Sequence, residues 1–156
     1  MDTTHSIIGQ SQEALRAYVL ERGFPEFHGT QIFKWIYGRQ SDAFDTMTDL
    51  PKPLRDQLKR DFTLGYFKAS RVLKSEKGDT VKYFYPLDHE TGIEAVVLKD
   101  DGQRTTFCIS CQIGCPVGCI YCATGKAGFI RNLEAGEIAT QVLSLIKEHG
   151  VPDSIL

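Results

Sequence analysis

Residues 108 to 122 read Cys108-Ile109-Ser110-Cys111-Gln112-Ile113-Gly114-Cys115-Pro116-Val117-Gly118-Cys119-Ile120-Tyr121-Cys122, and the pattern of the chain differs on their two sides. Upstream, from Tyr66, β-rich runs alternate at period two over Phe67 to Leu73, Thr80 to Tyr85, Ile93 to Leu98 and Arg104 to Cys111. Turn signals separate them at Lys77-Gly78-Asp79, Asp88 to Gly92 and Asp100-Asp101-Gly102. This predicts an antiparallel meander or a pair of hairpins. Downstream the period becomes helical from Leu133 to His149, with Ile138, Val142, Leu145 and Ile146 on one face and Gly150 at the end. Val151 to Leu156 then resembles the approach to another strand. Strand, loop, helix and incipient strand make the start of a βαβ unit, which needs a parallel neighbour that the sequence does not supply.

The first third of the chain reads as helices. Ser11 can cap a segment carrying Leu15, Tyr18 and Val19, which Gly23 and Pro25 stop. A second helix holds Ile32, Phe33, Trp35, Ile36 and Tyr37 and ends at Gly38. A third starts at Pro51 and Pro53 and sets Leu54, Leu58 and Phe62 on one stripe. The fold class is therefore α+β leading into α/β. Residues 1–64 form a helical domain, 65–112 a β-hairpin region and 113–156 the first βα unit of an α/β domain.

Apolar content of 42% and charged content of 24% place the 156-residue chain among globular proteins. No apolar run reaches membrane-spanning length, and Met1 to His5 lacks the cationic start and apolar core of a signal peptide, so a cytoplasmic protein is expected. The formal charge of −2 does not by itself suggest a nucleic-acid partner. Its distribution does: residues 51–82 hold nine Lys or Arg (Lys52, Arg55, Lys59, Arg60, Lys68, Arg71, Lys74, Lys77, Lys82) against Asp56, Asp61, Glu76 and Asp79. Such a stretch could face phosphate, with Arg55, Lys59 and Arg60 as contacts, or could simply be solvated.

All five cysteines lie within the run quoted above, where a disulfide framework would spread them through the chain. Clustering points to metal, and two readings compete. A zinc site would use two C-x2-C knuckles, Cys108/Cys111 and Cys119/Cys122. Residues three apart on a strand face opposite ways, however, so Cys108 and Cys111 are poorly placed to share one ion, and Cys115 is left without a purpose. The other reading takes C-x3-C-x2-C alone. Cys115, Cys119 and Cys122 on a Gly- and Pro-bearing loop can ligate three irons of a [4Fe-4S] cluster and leave the fourth open to a chelating small molecule. Tyr121, just before the last cysteine, fits a site residue or ordinary packing.

The run from Cys108 through Cys122-Ala-Thr-Gly-Lys-Ala-Gly-Phe-Ile-Arg-Asn-Leu133 resembles the RlmN/Cfr family of radical S-adenosylmethionine (SAM) RNA methyltransferases, most closely its adenine-C2 branch. Gly29-Thr-Gln-Ile-Phe-Lys-Trp-Ile-Tyr37 and Phe44-Asp-Thr-Met-Thr-Asp-Leu50 are similar to that family's helical N-terminal domain. The resemblance implies an incomplete radical SAM barrel at 113–156, with [4Fe-4S] and SAM as cofactors and Cys115, Cys119 and Cys122 as cluster ligands. It implies Glu94 as proton acceptor and Cys108 as the thiol that pairs transiently with a methyl-carrying cysteine near the C-terminus. Cys111 receives no role. Partners would be ribosomal RNA and tRNA, the protein a monomer without membrane attachment.

Adenine C2 is not nucleophilic, so the family's reaction adds a carbon radical derived from a methylated cysteine. The covalent adduct then needs a base and a thiol partner to resolve. Every cysteine here precedes residue 123, and no glycine-glutamate-proline SAM motif follows. The expectation is a truncated or split form, inactive alone, whose missing half a second polypeptide could supply. The alternative is a non-catalytic RNA-binding module with a vestigial cluster loop.

Overall fold

Alternation at period two fixes which side chains of the second half face a core, and helical spacing does the same for the first. The structure, a computed structural model, describes residues 5–100 and 104–156. Met1 to Thr4, the start of the segment compared with a signal peptide, and the turn residues Asp101 and Gly102 lie outside the described residues. The chain divides into two units, 1–65 and 66–156, each considered by itself.

In the first unit, β1 (His5–Ser6) precedes α1 (Gln12–Glu21), whose N-cap Ser11 Oγ accepts from the Ala14 amide at 3.1 Å. Helix α2 (Phe27–Phe33) starts earlier than its apolar spacing predicts and continues as a π-helical turn, Lys34–Gly38. A 3-10 turn at Phe44–Thr46 leads to α3 (Lys52–Asp61), where Pro53 occupies the tolerant first turn. Leu15, Val19, Ile32, Ile36, Leu54 and Leu58 are buried, as their spacing predicts. Phe62 departs from its expected place on the α3 stripe. The helix stops at Asp61, and Phe62 turns extended to open β2 (Phe62–Thr63), which pairs in parallel with β1. Asp61 holds that end down by accepting from Tyr18 Oη at 2.8 Å and from Arg22 Nε at 3.1 Å, and the Phe62 ring lies 5.0 Å from Tyr18.

The second unit opens with a meander: β3 (Arg71–Lys74), β4 (Thr80–Pro86), β5 (Gly92–Asp100) and β6 (Arg104–Cys108), all antiparallel neighbours. After it come β7 (Gln112–Gly114), α4 (Ala123–Lys126), β8 (Phe129–Asn132), α5 (Ala135–His149) and β9 (Ser154–Ile155). Strands β7 and β8 pair with each other. The expectation that the closing strand lacks a parallel neighbour is corrected: β9 pairs in parallel with β6, Thr106 opposite Ser154 and Phe107 opposite Ile155. The main sheet thus has the order β3-β4-β5-β6-β9.

Val81, Tyr83 and Tyr85 of β4, Ile93, Ala95 and Val97 of β5, and Phe107 of β6 form one buried face with Leu145 of α5, Ile113 of β7 and Leu133. A fully buried side chain such as Phe107 or Leu145 contributes about 1.5–3 kcal/mol over leaving it in water. Helix α5 rests on the predicted stripe, with Leu145 in this core and Ile138 and Ile146 packed against it, and buries further residues beside it. Leu145 is buried, but Ile138, Val142 and Ile146 are only partly so, while Thr140, Gln141, Leu143 and Ser144 are buried. The polar members serve the backbone: Ser144 Oγ accepts from the Phe67 amide at 3.0 Å, so the first strand begins at Arg71 rather than Phe67. Gln141 Oε1 accepts from the Ser110 amide at 2.9 Å and its Nε2 donates to the Ser110 carbonyl at 2.9 Å. That amide clamp replaces strand pairing.

Strand β6 therefore ends at Cys108, not at Cys111. Cys111 sits in a bend before β7, so the strand-parity argument separating it from Cys108 does not describe this backbone. Both thiols are exposed and free. Among the described residues no helix is long and apolar enough to cross a membrane.

Candidate active site

The cysteine loop runs from the end of β7 to the start of α4 and is closed at its base. The Cys115 amide donates to the Gly128 carbonyl at 3.1 Å, and the Leu133 amide donates to the Cys111 carbonyl at 2.9 Å. Closure depends on Gly114, which has φ +73°; a Cβ there would stand 1.7 Å from the Gly128 carbonyl oxygen. Within the loop the Cys122 amide donates to the Cys119 carbonyl at 3.1 Å. Gly125 of α4 lets that turn close in, since a Cβ would lie 3.0 Å from the Cys119 nitrogen. Ile113 anchors the base in the sheet core, and Arg131 of β8 grips Glu137 of α5 through two contacts of 2.7 Å.

Cys115, Cys119 and Cys122 are free thiols, each partly exposed on this loop. Hydrogen bonds to Cys122 from the Gly125 amide foremost, then from Thr124, hold its thiol below the ordinary value, which favours the thiolate that binds metal. Among the described residues no three His, Cys, Asp or Glu side chains are gathered to hold a metal ion. The donor set still suits a cluster: three thiols and no fourth protein ligand on the loop, a clamped base, and a glycine cradle beneath Cys119. Loops of this kind take their final ligand geometry when metal binds. Val117, Ile120 and Tyr121 project outward, with Tyr121 88% exposed, so Tyr121 packs into no core here.

Glu94 and Cys108 lie together on the sheet face opposite the buried one. Val96 pairs with Cys108, which puts Glu94 one diagonal step from Cys108 on the same side. Across the next strand Glu94 pairs with Phe84, and its Oε1 accepts from Lys82 Nζ at 2.8 Å. Ser110 Oγ donates to the Glu94 carbonyl at 2.7 Å. Glu94 and Cys108 are thus brought together by register.

The basic stretch is divided between the two units, α3 in one and β3–β4 in the other. Arg55 Nη1 donates to the Asp45 carbonyl at 2.6 Å and Lys59 Nζ pairs with Asp45 Oδ1 at 2.5 Å. Arg60 Nη2 donates to Gln57 Oε1 at 2.5 Å. These three cations already have partners, and a phosphate would have to compete for them.

Sequence reasoning missed Gly114, Gly125 and the Gln141–Ser110 clamp. The four glycines at 114, 118, 125 and 128 were the available signal for the loop; a glutamine inside an amphipathic helix gave none for the clamp.

Residues 6–64 match the family model described as the ribosomal RNA large subunit methyltransferase N-terminal domain. The chain is 39% identical over 145 residues to a probable dual-specificity RNA methyltransferase RlmN of Thermotoga neapolitana, covering 93% of this chain and 42% of that protein. It is 38% identical over 140 residues to the dual-specificity RNA methyltransferase RlmN of Campylobacter fetus, covering 82% of this chain and 39% of that protein. A solved radical SAM methyltransferase from Sphaerobacter thermophilus superposes with a TM-score of 0.81 at 35% identity, over 92% of this chain and 42% of that one. The chain spans about two-fifths of the length of these relatives.

Proposed function

The chain belongs to the RlmN family, matching the N-terminal part of its members, and from this we propose that it carries the RNA-facing helical domain and the cluster loop of an adenine-C2 methyltransferase acting on 23S ribosomal RNA and tRNA. The observation that supports this reading best is the placement of Glu94 and Cys108 on one exposed sheet face, in the same unit as a clamped loop of three free thiols.

In this reading Cys115, Cys119 and Cys122 hold a [4Fe-4S] cluster, which when bound supplies the electron that splits SAM to a carbon radical. Glu94 accepts the proton that leaves C2. Its carboxylate is exposed, so substrate can reach it, and Lys82 fixes its position across the strands. Cys108 presents a free thiol to the methyl-carrying cysteine and helps release it from the product. In this reading the methyl-carrying cysteine belongs to the part of the family's members beyond the two-fifths that this chain matches.

Anaerobic reconstitution tests the cluster: a brown protein with about four iron per chain is expected, and a colourless protein holding one tight zinc overturns it. Mass spectrometry of RNA treated with reconstituted chain, SAM and reductant tests the reaction. 2-Methyladenosine is expected only when the C-terminal part of the Thermotoga neapolitana relative is added; 8-methyladenosine overturns the C2 assignment, and product without the added part overturns dependence on it. The basic α3 surface favours a second reading, an RNA-binding module with a vestigial loop, which salt-sensitive RNA binding without any iron uptake would support.

A further inference from the structure

Beside Glu94, on the side away from Cys108, the sheet face opens into a cavity of about 390 Å³ lined by Ser70, Arg71, Leu73, Lys82, Phe84 and Glu94. The ladder arranges these side chains in two rows. Arg71 pairs with Phe84 and Phe84 with Glu94, while Leu73 pairs with Lys82, Lys82 with Val96, and Val96 with Cys108. Strand spacing then puts Phe84 about 5 Å from Glu94 and about 10 Å from the strand of Cys108.

The cavity wall combines an aromatic surface with positive charge. Phe84 is 36% exposed and Leu73 44%, which is high for large apolar side chains on a sheet. The Phe84 ring leans over Gly92 across the ladder, where an added Cβ would come within 2.4 Å of its Cζ. Glycine at 92 therefore leaves the space that the ring occupies. Lys82 is committed to Glu94 at 2.8 Å, but the Arg71 guanidinium has no hydrogen-bond or ion-pair partner among the described residues. A ring, an aliphatic wall and an unpaired guanidinium suit a nucleobase joined to phosphate: the base stacks, and the planar cation takes the anion in forked contacts.

We infer that this cavity binds one nucleotide of the RNA adjacent to the one presented to Glu94 and Cys108, its base on Phe84 and its phosphate on Arg71. The inference rests on the proposed function, in which Glu94 and Cys108 mark the reacting base. It adds a positioning contact one strand away: holding the neighbouring nucleotide pulls the target out of its stack and toward Glu94.

The test uses the 156-residue protein and a fluorescein-labelled stem-loop RNA with adenosines in its loop, titrated by fluorescence anisotropy at several salt concentrations. Phe84→Leu is expected to weaken binding roughly 5- to 50-fold with little change in salt dependence, as loss of one stacked base does. Arg71→Gln is expected to weaken binding and to lower the slope of log affinity against log salt by about one. Lys77→Gln, which removes a charge at the β3–β4 turn outside the cavity, is expected to shift affinity less than either. Photocrosslinking with 4-thiouridine in the loop should label the peptide containing Phe84, a readout that stands if a variant misfolds. RNA binding that both variants leave unchanged, with crosslinks elsewhere, overturns the cavity's role and leaves the proposed function intact. Failure of the unaltered protein to bind RNA overturns both.

Discussion

The cysteine loop and the sheet face of Glu94 reach order by opposite means. On the sheet face every position follows from ladder register: once Val96 pairs with Cys108 and Phe84 with Glu94, the side chains are placed before any ligand arrives. The loop is fixed only at its ends, by Gly114 against Gly128 and by α4, while Val117, Ile120 and Tyr121 stand in solvent. A face built on strands is preorganised, whereas a loop held only at its ends takes its final geometry from what it binds, which in the proposed function is a metal cluster. The chemistry proposed for the loop is therefore readable from spacing, and the placement proposed for the face is not.

The sharpest way to break this comparison is to remove single thiols. Ala at Cys115, Cys119 or Cys122 should reduce reconstituted iron from about four per chain to below about one, while Cys108→Ala and Cys111→Ala retain the full amount. Iron and sulfide analysis with electron paramagnetic resonance reads the result. Loss of iron in the Cys108 variant would move that residue from the face to the cluster.

Next in size is the clamp of the loop. Gly114→Ala forces a left-handed backbone on a residue with a Cβ and drives that Cβ into the Gly128 carbonyl, so a cost of about 2 kcal/mol or more is expected. Amide exchange at Cys115 should quicken and iron uptake fall, with the sheet core unaffected. An unchanged Cys115 amide would show that the base of the loop is held by something other than this contact.

Gln141→Ala probes the junction between the two regions. It strips the side-chain partners from the partly buried Ser110 backbone and should cost about 1–2 kcal/mol in urea unfolding. A cost near zero would mean that the break after Cys108 is set elsewhere.

The smallest effect concerns pH. His149 is mostly buried, and desolvation lowers its pKa despite the nearby carboxylate of Glu148; its ring faces Tyr83 and Phe107 and feels Lys99 and Lys74. A lowered value in the fold means that the unfolded chain binds the proton more readily. Stability is then complete above the unfolded value near 6.5 and declines as pH falls through the folded one. Urea midpoints of the second unit should drop between about pH 7 and pH 5.5, and His149→Gln should flatten that slope.

Much of the fold was legible because its signals are local. Ser11 caps α1 through its own hydroxyl, Pro53 marks the start of α3, and alternation from Val81 to Tyr85 and Ile93 to Val97 identifies the buried face. The misreadings share one physical cause, a tertiary partner outbidding a local preference. Phe62 left the helical stripe for pairing with β1, Phe67 gave its amide to Ser144, and Ser110 gave its backbone to Gln141.

By itself the sequence determined the three-cysteine loop, the meander before it and the helix after it, since spacing, turn residues and periodicity act over a few residues. Tertiary structure alone decided that β9 returns beside β6, that Glu94, Cys108 and Phe84 share a face, and that Arg71 lines a cavity there. Those outcomes depend on register and on which distant backbone groups find partners, and both are settled only when the chain closes on itself.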